Sequence, residues 1–480
     1  GSGPNDAIVT KTFGNAGSQQ YWVFFSSYTA GSWSYWSIVF EEGSNKIYIV
    51  DQRHSGNANP QITAGIQIDN SNAVMVPGSP NLSNVAGTDP TPADNFYYEF
   101  YYGSQNSTDM SATSNLTYPY LYINDAPYTI TAIFNNLGLD TVNSMDINYS
   151  ANNGNVVTES LTNLNLGTYI SDTFDFNTLW NPNSDGNYDV AIWASNINGS
   201  SDLDNSNDTI HKSLHVFGNT APRRPMLETF VSSTSQYSVT GNVDLQSILA
   251  PNSGNYTLLK YQMSWPQPGD PYYTQEAGDR RAFYGVNSIP RLEVDGGYDS
   301  DPRLFTTQEF DEFAGIPSFS TISANYSVYH DQGQNSSVDM TVTIDPIEDF
   351  NSNNLTLFVA IIEYATYYNI GSNGESEFLH VMKKMIPSSS GTAIPALQSG
   401  VQESYNFSYN FQGSYVLPSD ANSPIDHTNS HSVENFDNLG VVVWVQDVNT
   451  KEILQSTTAN IVANVEENIA TSRLMIFPNP

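Results

Sequence analysis

Met226-Leu227-Glu228-Thr229-Phe230-Val231-Ser232-Ser233-Thr234-Ser235-Gln236-Tyr237-Ser238 reads as a short strand that passes through a serine-rich loop into a helix near Val239 to Leu249. Tyr256-Thr257-Leu258-Leu259-Lys260-Tyr261-Gln262-Met263 reads as the next strand, and Pro271 to Tyr284 holds a second helix carrying Arg280 and Arg281. Gly285-Val286-Asn287-Ser288-Ile289-Pro290-Arg291-Leu292-Glu293-Val294-Asp295-Gly296-Gly297 then supplies a proline-bearing loop, a strand and a turn. Strand, helix, strand, helix, proline loop, strand is an α/β order. Nowhere else in the chain do helix-length patterns stand beside strands.

On both sides, apolar and polar residues alternate between turns rich in Asn, Gly, Ser and Asp, as half-buried strands require. Tyr128-Thr129-Ile130-Thr131-Ala132-Ile133-Phe134, the turn Asn135-Asn136-Leu137-Gly138 and Ser144-Met145-Asp146-Ile147-Asn148-Tyr149 give an immunoglobulin-like rhythm. The expected fold is multidomain and mainly β, with immunoglobulin-like and other β-sandwiches flanking one α/β domain. Its expected parts are a β-rich domain over 1–116, an immunoglobulin-like sandwich over 117–219, the α/β domain over 220–318, a distal sandwich over 319–466 and a linker over 467–480.

Composition narrows the function. There are 15 Lys and Arg against 49 Asp and Glu, a net charge of -34, so phosphate backbones and anionic lipid surfaces are repelled. No stretch approaches the length of an apolar membrane span, so nucleic acid and a transmembrane role are both set aside. Cysteine is absent, which removes disulfides, thiolate metal sites and cysteine nucleophiles. Packing falls to 30 Tyr, 23 Phe and 7 Trp.

Several clusters have two readings. Trp33, Tyr35 and Trp36 either stack on a glycan or a partner protein or fill a sandwich core, with alternation placing Trp33 and Tyr35 on one face. Asp202, Asp204 and Asp208, in Asn198-Gly199-Ser200-Ser201-Asp202-Leu203-Asp204-Asn205-Ser206-Asn207-Asp208, offer oxygen ligands for calcium or make a solvated acidic turn. His427 and His431, with Asp426 and Glu434, have zinc-like spacing but sit among Asn and Ser, so solvent exposure is expected. Asp270, Glu276 and Asp279 flank aromatic residues as a candidate acid and base pair.

The segments Leu227 to Ser238, Lys260-Tyr261-Gln262-Met263-Ser264-Trp265-Pro266, Gly269-Asp270-Pro271-Tyr272-Tyr273 and Arg281 to Pro290 together resemble Bacteroidota outer-membrane-related proteins with a thioredoxin-like domain. The resemblance covers roughly residues 120 to 466 and leaves 1–116 outside it. Phe477-Pro478-Asn479-Pro480, after Thr471 to Ile476, is similar to the opening of a type A sorting domain, the C-terminal address of the type IX secretion system. The two resemblances imply export through the periplasm, contact with that machinery on the way, and an extracellular or outer-surface location. Asp140-Thr141-Val142 and Asp208-Thr209-Ile210 also resemble Bacteroidota O-glycosylation sites.

The departure from the family carries chemistry. Where relatives often have Cys-x-x-Cys, this chain has Ser235-Gln236-Tyr237-Ser238, and a serine hydroxyl cannot carry out thiol exchange. The resemblance makes Ser235, Ser238 and Pro290 a degenerate redox site, with Pro290 expected to be cis and one of the serines expected to cap the helix. The function expected is a secreted or cell-surface structural, adhesive or ligand-binding protein, requiring no cofactor. A glycan, a surface protein or another copy of the chain is the expected partner. The alternative is an extracellular enzyme or thiol-independent chaperone, acting on glycans through acidic residues.

Overall fold

The structure, a computed structural model, describes residues 6–14, 17, 19–29, 32–44, 46–56, 64–76, 96–101, 105–330 and 335–462. The C-terminal Phe477 to Pro480 motif lies outside them. The chain divides into two compact units, Gly1–Gly218 and Asn219–Pro480. It is mainly β, with one mixed α/β region.

The first unit opens with an antiparallel five-stranded sheet whose strands Ala7–Phe13, Gln20–Thr29, Ser32–Glu41, Lys46–Gly56 and Phe96–Tyr101 pair in sequence order. A two-sheet sandwich follows. Ser171–Asp175, Thr131–Asn136 and Met110–Asn115 form one sheet; Val157–Leu166, Val142–Ala151, Gly186–Ser195, Thr209–Phe217 and Tyr120–Tyr122 form the other. Ala132 and Phe134 alternate with half-buried neighbours and meet Met145, Ile147, Val190, Ile192, Leu214 and Val216 in one core. The period of two seen in the sequence is thus the burial pattern of a sandwich face.

The second unit is built on one nine-stranded sheet. Met226–Val231 lies parallel to Thr257–Gln262 and antiparallel to Arg291–Val294, which pairs in turn with Tyr298–Ser300. On its other side Thr257–Gln262 continues, parallel, into Phe378–Ile386 through Lys260 and Val381. Leu355–Thr366, Leu439–Asp447 and Ile453–Thr458 extend the same sheet. Strands from the stretches 220–318 and 319–466 therefore share one continuous sheet. A second, four-stranded sheet holds Glu403–Gln412, Asn335–Pro346, Ser320–His330 and Asn460–Ile461.

Helices cover both faces of the α/β end. Helix α1 (Gln236–Leu249) and helix α3 (Thr307–Gly315) pack Leu245, Leu249 and Phe310 on Leu227, Leu258, Leu292 and Val294. Helix α2 (Gln275–Tyr284) covers the opposite face, where Phe230, Tyr261 and Tyr284 run into Phe358, Met382 and Trp444 of the neighbouring strands. With both faces covered, Met226–Val231, Thr257–Gln262 and Leu439–Asp447 are buried along their whole length. Local signals set the helix ends. Thr306 and Glu309 form a capping box for α3, and Thr274 accepts from the Ala277 N–H at the start of α2. Gly285, at φ 80°, stops α2 in the left-handed region.

Candidate functional site

Ser235 occupies the cap position of α1 with an extended backbone, which starts the helix earlier than Val239. Its hydroxyl makes no capping bond, contrary to the expectation from the sequence. The Ser238 N–H instead donates to the Ser235 carbonyl at 3.1 Å, and the Ser238 hydroxyl accepts from the Ser232 N–H at 3.2 Å. The serine oxygen is spent on closing the turn rather than on the first turn of the helix. The Ile289–Pro290 bond is cis, and Pro290 packs on α1 at Gly241, where an added Cβ would lie 3.0 Å from the proline ring.

Two further groups tie down this corner. Asp270, with 0% exposure, accepts from the Ser233 N–H at 2.9 Å and the Tyr272 N–H at 2.8 Å. Burial pushes its carboxyl upward, against the pull of those donors. Over it lies the segment between Leu355–Thr366 and Phe378–Ile386. There the Asn373 N–H donates to the Ser233 carbonyl at 3.0 Å, and the Asn373 amide donates to the carbonyls of Ser232 and Ser235 at 3.3 Å. Gly371 approaches so closely that a Cβ would sit 2.3 Å from the Ser233 carbonyl oxygen. The strap is latched by a chain of hydrogen bonds. Asn373 and Asn242 both donate to Glu375, and Lys260 donates to Asn242 at 2.7 Å.

Ser235 and Ser238 are consequently 3% and 0% exposed. Sequence reasoning placed the serines and Pro290 but missed the strap, because its anchors Gly371, Asn373 and Glu375 read only as a polar loop. With no cysteine in the 480 residues, this corner holds no thiol-disulfide active site.

Several other ionisable groups of this unit are held in separate pairings. Arg280 donates to both oxygens of Glu228 at 2.9 and 3.0 Å, and Tyr261 and Tyr284 donate to the same carboxylate. Lys383 and Glu363 form a fully buried pair at 3.1 Å. Asp270, Glu276 and Asp279 do not converge: Glu276 pairs with Lys384, and Asp279 accepts from Gln275 and Ser389. His427 and His431 are buried, at 1% and 8% exposure, rather than exposed as their polar neighbours suggested. Their rings pack on Phe411 and Phe436, and burial lowers the His427 pKa to about 3.

In the first unit, Trp33, Tyr35 and Trp36 lie on Ser32–Glu41, whose register shifts between Tyr35 and Trp36. Tyr35 stacks on Phe24 at 5.8 Å and Trp36 on Phe25 at 4.1 Å. Adjacent strand residues point to opposite faces, so these two rings belong to different surfaces. The Trp33 side chain lies outside the described residues. Burial first, and then the charges of Asp202, Asp109 and Asp204, push the Asp208 carboxyl upward, and Asp109, a residue the sequence did not single out, accepts from the Asn207 amide at 3.0 Å. Among the described residues, no group of three or more His, Cys, Asp or Glu side chains is placed to hold a metal ion. Thr141 and Thr209 of the two glycosylation-like motifs are exposed. No described helix is long and apolar enough to cross a membrane.

No family model and no curated protein matches the chain. Among solved structures it is similar to HBP35 of Porphyromonas gingivalis at 12% identity, over 54% of this chain and 81% of that one, with a TM-score of 0.37. A protein from Agrobacterium tumefaciens matches at 11% identity over 50% of this chain and 96% of its own, with a TM-score of 0.29. A CARDB domain from Pyrococcus furiosus, solved in complex with di-metal ions, matches at 17% identity over 24% of this chain and 100% of its own, with a TM-score of 0.21. Likenesses this distant transfer no function.

Proposed function

We propose that this is a secreted or cell-surface structural or ligand-binding protein of Bacteroidota, assembled from β-sandwiches around a redox-inactive thioredoxin-like domain. The observation that carries the reading is the burial of Ser235 and Ser238 under the strap anchored by Asn373 and Gly371. Thiol exchange needs a nucleophile at an accessible helix start. Here that position has neither the sulfur nor the access, and its polar groups are consumed in joining the α/β end to the rest of the sheet.

The strand order in Met226–Ser300, with α1 after the first strand and Pro290 before the third, supports the thioredoxin-like assignment. The two-sheet core around Phe134 and Ile147 supports an immunoglobulin-like module. The domain limits 1–116, 117–219, 220–318, 319–466 and 467–480 remain part of this proposal, as do the sorting motif, type IX export and an outer-surface location. The net charge of -34 favours neutral or cationic partners, a glycan or a protein surface, over anionic ones.

The test is to incubate the purified chain with a disulfide substrate and dithiothreitol, and in parallel to screen it on a glycan array with product analysis. Binding without turnover is expected. Catalysed disulfide reduction or glycan cleavage would overturn the reading.

A further inference from the structure

Lys260 is a buried amine that the fold holds against an amide. It stands on Thr257–Gln262 and shares a face with Leu258, which packs under α1, because side chains two apart on a strand point the same way. It is 5% exposed, and its Nζ donates to Oδ1 of Asn242, a residue of α1, at 2.7 Å. The nitrogen of that same amide is held from the strap. Asn242 Nδ2 donates to Glu375 Oε1 at 2.9 Å, and Asn373 Nδ2 donates to Glu375 Oε2 at 2.6 Å, which fixes the carboxylate in place. An amine, a carboxamide and a carboxylate from three separate stretches of chain are thus lined up in that order.

The order has chemical meaning. A lysine is a nucleophile only as the free amine, and burial lowers the Lys260 pKa to about 8, against the opposing pull of the Glu375 charge. His380, on the neighbouring strand Phe378–Ile386, also feels Lys260. Burial and then that charge lower the His380 pKa to about 4, so it adds no charge of its own at neutral pH. The hydrogen bond to Oδ1 sets Nζ beside Cγ, the carbon that an amine attacks, and polarises the carbonyl toward that attack. On the far side of the same carbon, the leaving nitrogen already touches a carboxylate that can carry a proton to it.

We propose that Lys260 and Asn242 join in an intramolecular amide bond, with Glu375 as the proton carrier. The lone pair of the neutral Nζ forms the bond to Asn242 Cγ, and the carbonyl electrons move onto Oδ1. Glu375 takes one proton from the now positive Nζ and passes it to Nδ2. The carbonyl re-forms, the Cγ–Nδ2 bond breaks and ammonia leaves. Nothing is oxidised or reduced, and Glu375 ends in the form in which it began. The product ties α1 covalently to the strand beneath it. In a chain without cysteine, it supplies a cross-link that no reductant opens.

The experiment is the intact mass of the full chain, kept folded at about pH 9 so that the amine is free, and then denatured for mass spectrometry. A mass about 17 Da below that of the sequence is expected, the ammonia lost. The loss should speed up as pH rises through about 8. After digestion with trypsin and chymotrypsin, the fragments carrying Asn242 and Lys260 should stay joined. Lys260→Met, Asn242→Ala and Glu375→Gln should keep their full mass. Glu375→Gln preserves the size and hydrogen-bonding capacity of the side chain, so it decides if the other two fail to fold. Full mass in the folded, unsubstituted chain would overturn the proposal. So would loss of ammonia with the two fragments separate, since an asparagine can also cyclise on its own backbone. Undiminished joining in Glu375→Gln would overturn the role given to the carboxylate.

Discussion

The turn at the start of α1 and the aspartate corner of the first unit are both polar and mostly buried, yet they are built on opposite principles. At the turn, Asn373, Asp270 and Ser238 each meet the backbone groups that face them. At the corner, carboxylates face carboxylates, and Asp208 shares a hydrogen bond with Asp202 that raises its pKa. Burial of polar groups is tolerable when they are paired and costly when they are not. A largely paired cluster, in which the Ser233 hydroxyl is the buried group left without a hydrogen bond of its own, holds structure and has little left to offer a ligand. An unbalanced one makes stability depend on pH.

The largest test of this contrast applies the same chemical change, carboxylate to amide, in both units. Glu228→Gln leaves Arg280 without its counter-charge at 1% exposure and should cost about 3–5 kcal/mol in denaturant unfolding. Asp208→Asn should be neutral or stabilising at pH 7. Its pKa is raised from 3.8 to about 6, so the folded state loses stability as pH rises through that window, and the amide removes the loss. Equal destabilisation by both substitutions would break the comparison.

Next in size is Gly371→Ala. The added methyl would meet the Ser233 carbonyl oxygen, a backbone atom that cannot swing aside, so the strap must lift or the turn must move. A loss of about 1–3 kcal/mol is expected, with faster hydrogen exchange over 367–377. Unchanged exchange there would show that the strap is not held by close approach.

A subtler effect comes from Glu293, which lies opposite Glu228 and Asp299 in the sheet. Burial, and then the charge of Asp299, raises its pKa from 4.5 to about 9. Below 4.5 the acid is protonated in both folded and unfolded chains and costs nothing. Between 4.5 and 9 only the unfolded chain ionises, so stability falls as pH rises. Glu293→Gln keeps a hydrogen-bond donor toward Asp299 and should flatten that decline. Thermal melts from pH 5 to pH 9 test this, and parallel curves for the two proteins would refute it.

How much of this was legible follows from the range of each interaction. The strand–helix alternation in 226–294 was readable because hydrophobic period and turn residues are local signals. The mainly β character of the rest was readable for the same reason. Continuity of the sheet through Lys260 and Val381 was not, since a parallel pairing between distant strands leaves no turn motif in sequence. Asp109 escaped because it stands alone in sequence, and only folding brings it to Asn207. His427 and His431 misled for the converse reason. Their neighbours are polar, but the rings turn inward onto Phe411 and Phe436. The serines stand at the helix start as expected, but neither caps it, because the Ser238 N–H donates to the Ser235 carbonyl and the Ser238 hydroxyl accepts from Ser232.

The smallest expected energy change tests the paired site most directly. Ser235→Cys with Ser238→Cys places two sulfurs three residues apart at the start of a helix, a spacing compatible with a disulfide. So short a loop removes comparatively little entropy from the unfolded chain, and stability should change by no more than about 2 kcal/mol on oxidation. The informative quantity is access. In the reduced form both thiols lie where the serines are 3% and 0% exposed, so a bulky maleimide should label them far more slowly than a cysteine at Tyr237, which is 64% exposed. Adding Asn373→Ala removes the bonds from the strap to Ser232 and Ser235 and should accelerate labelling. Rapid labelling with the strap intact would show that the corner is open, and would return it to the class of surfaces with something left to bind. Failure to form the disulfide under mild oxidation would instead place the serines outside the helix-start geometry on which the contrast between the two units depends.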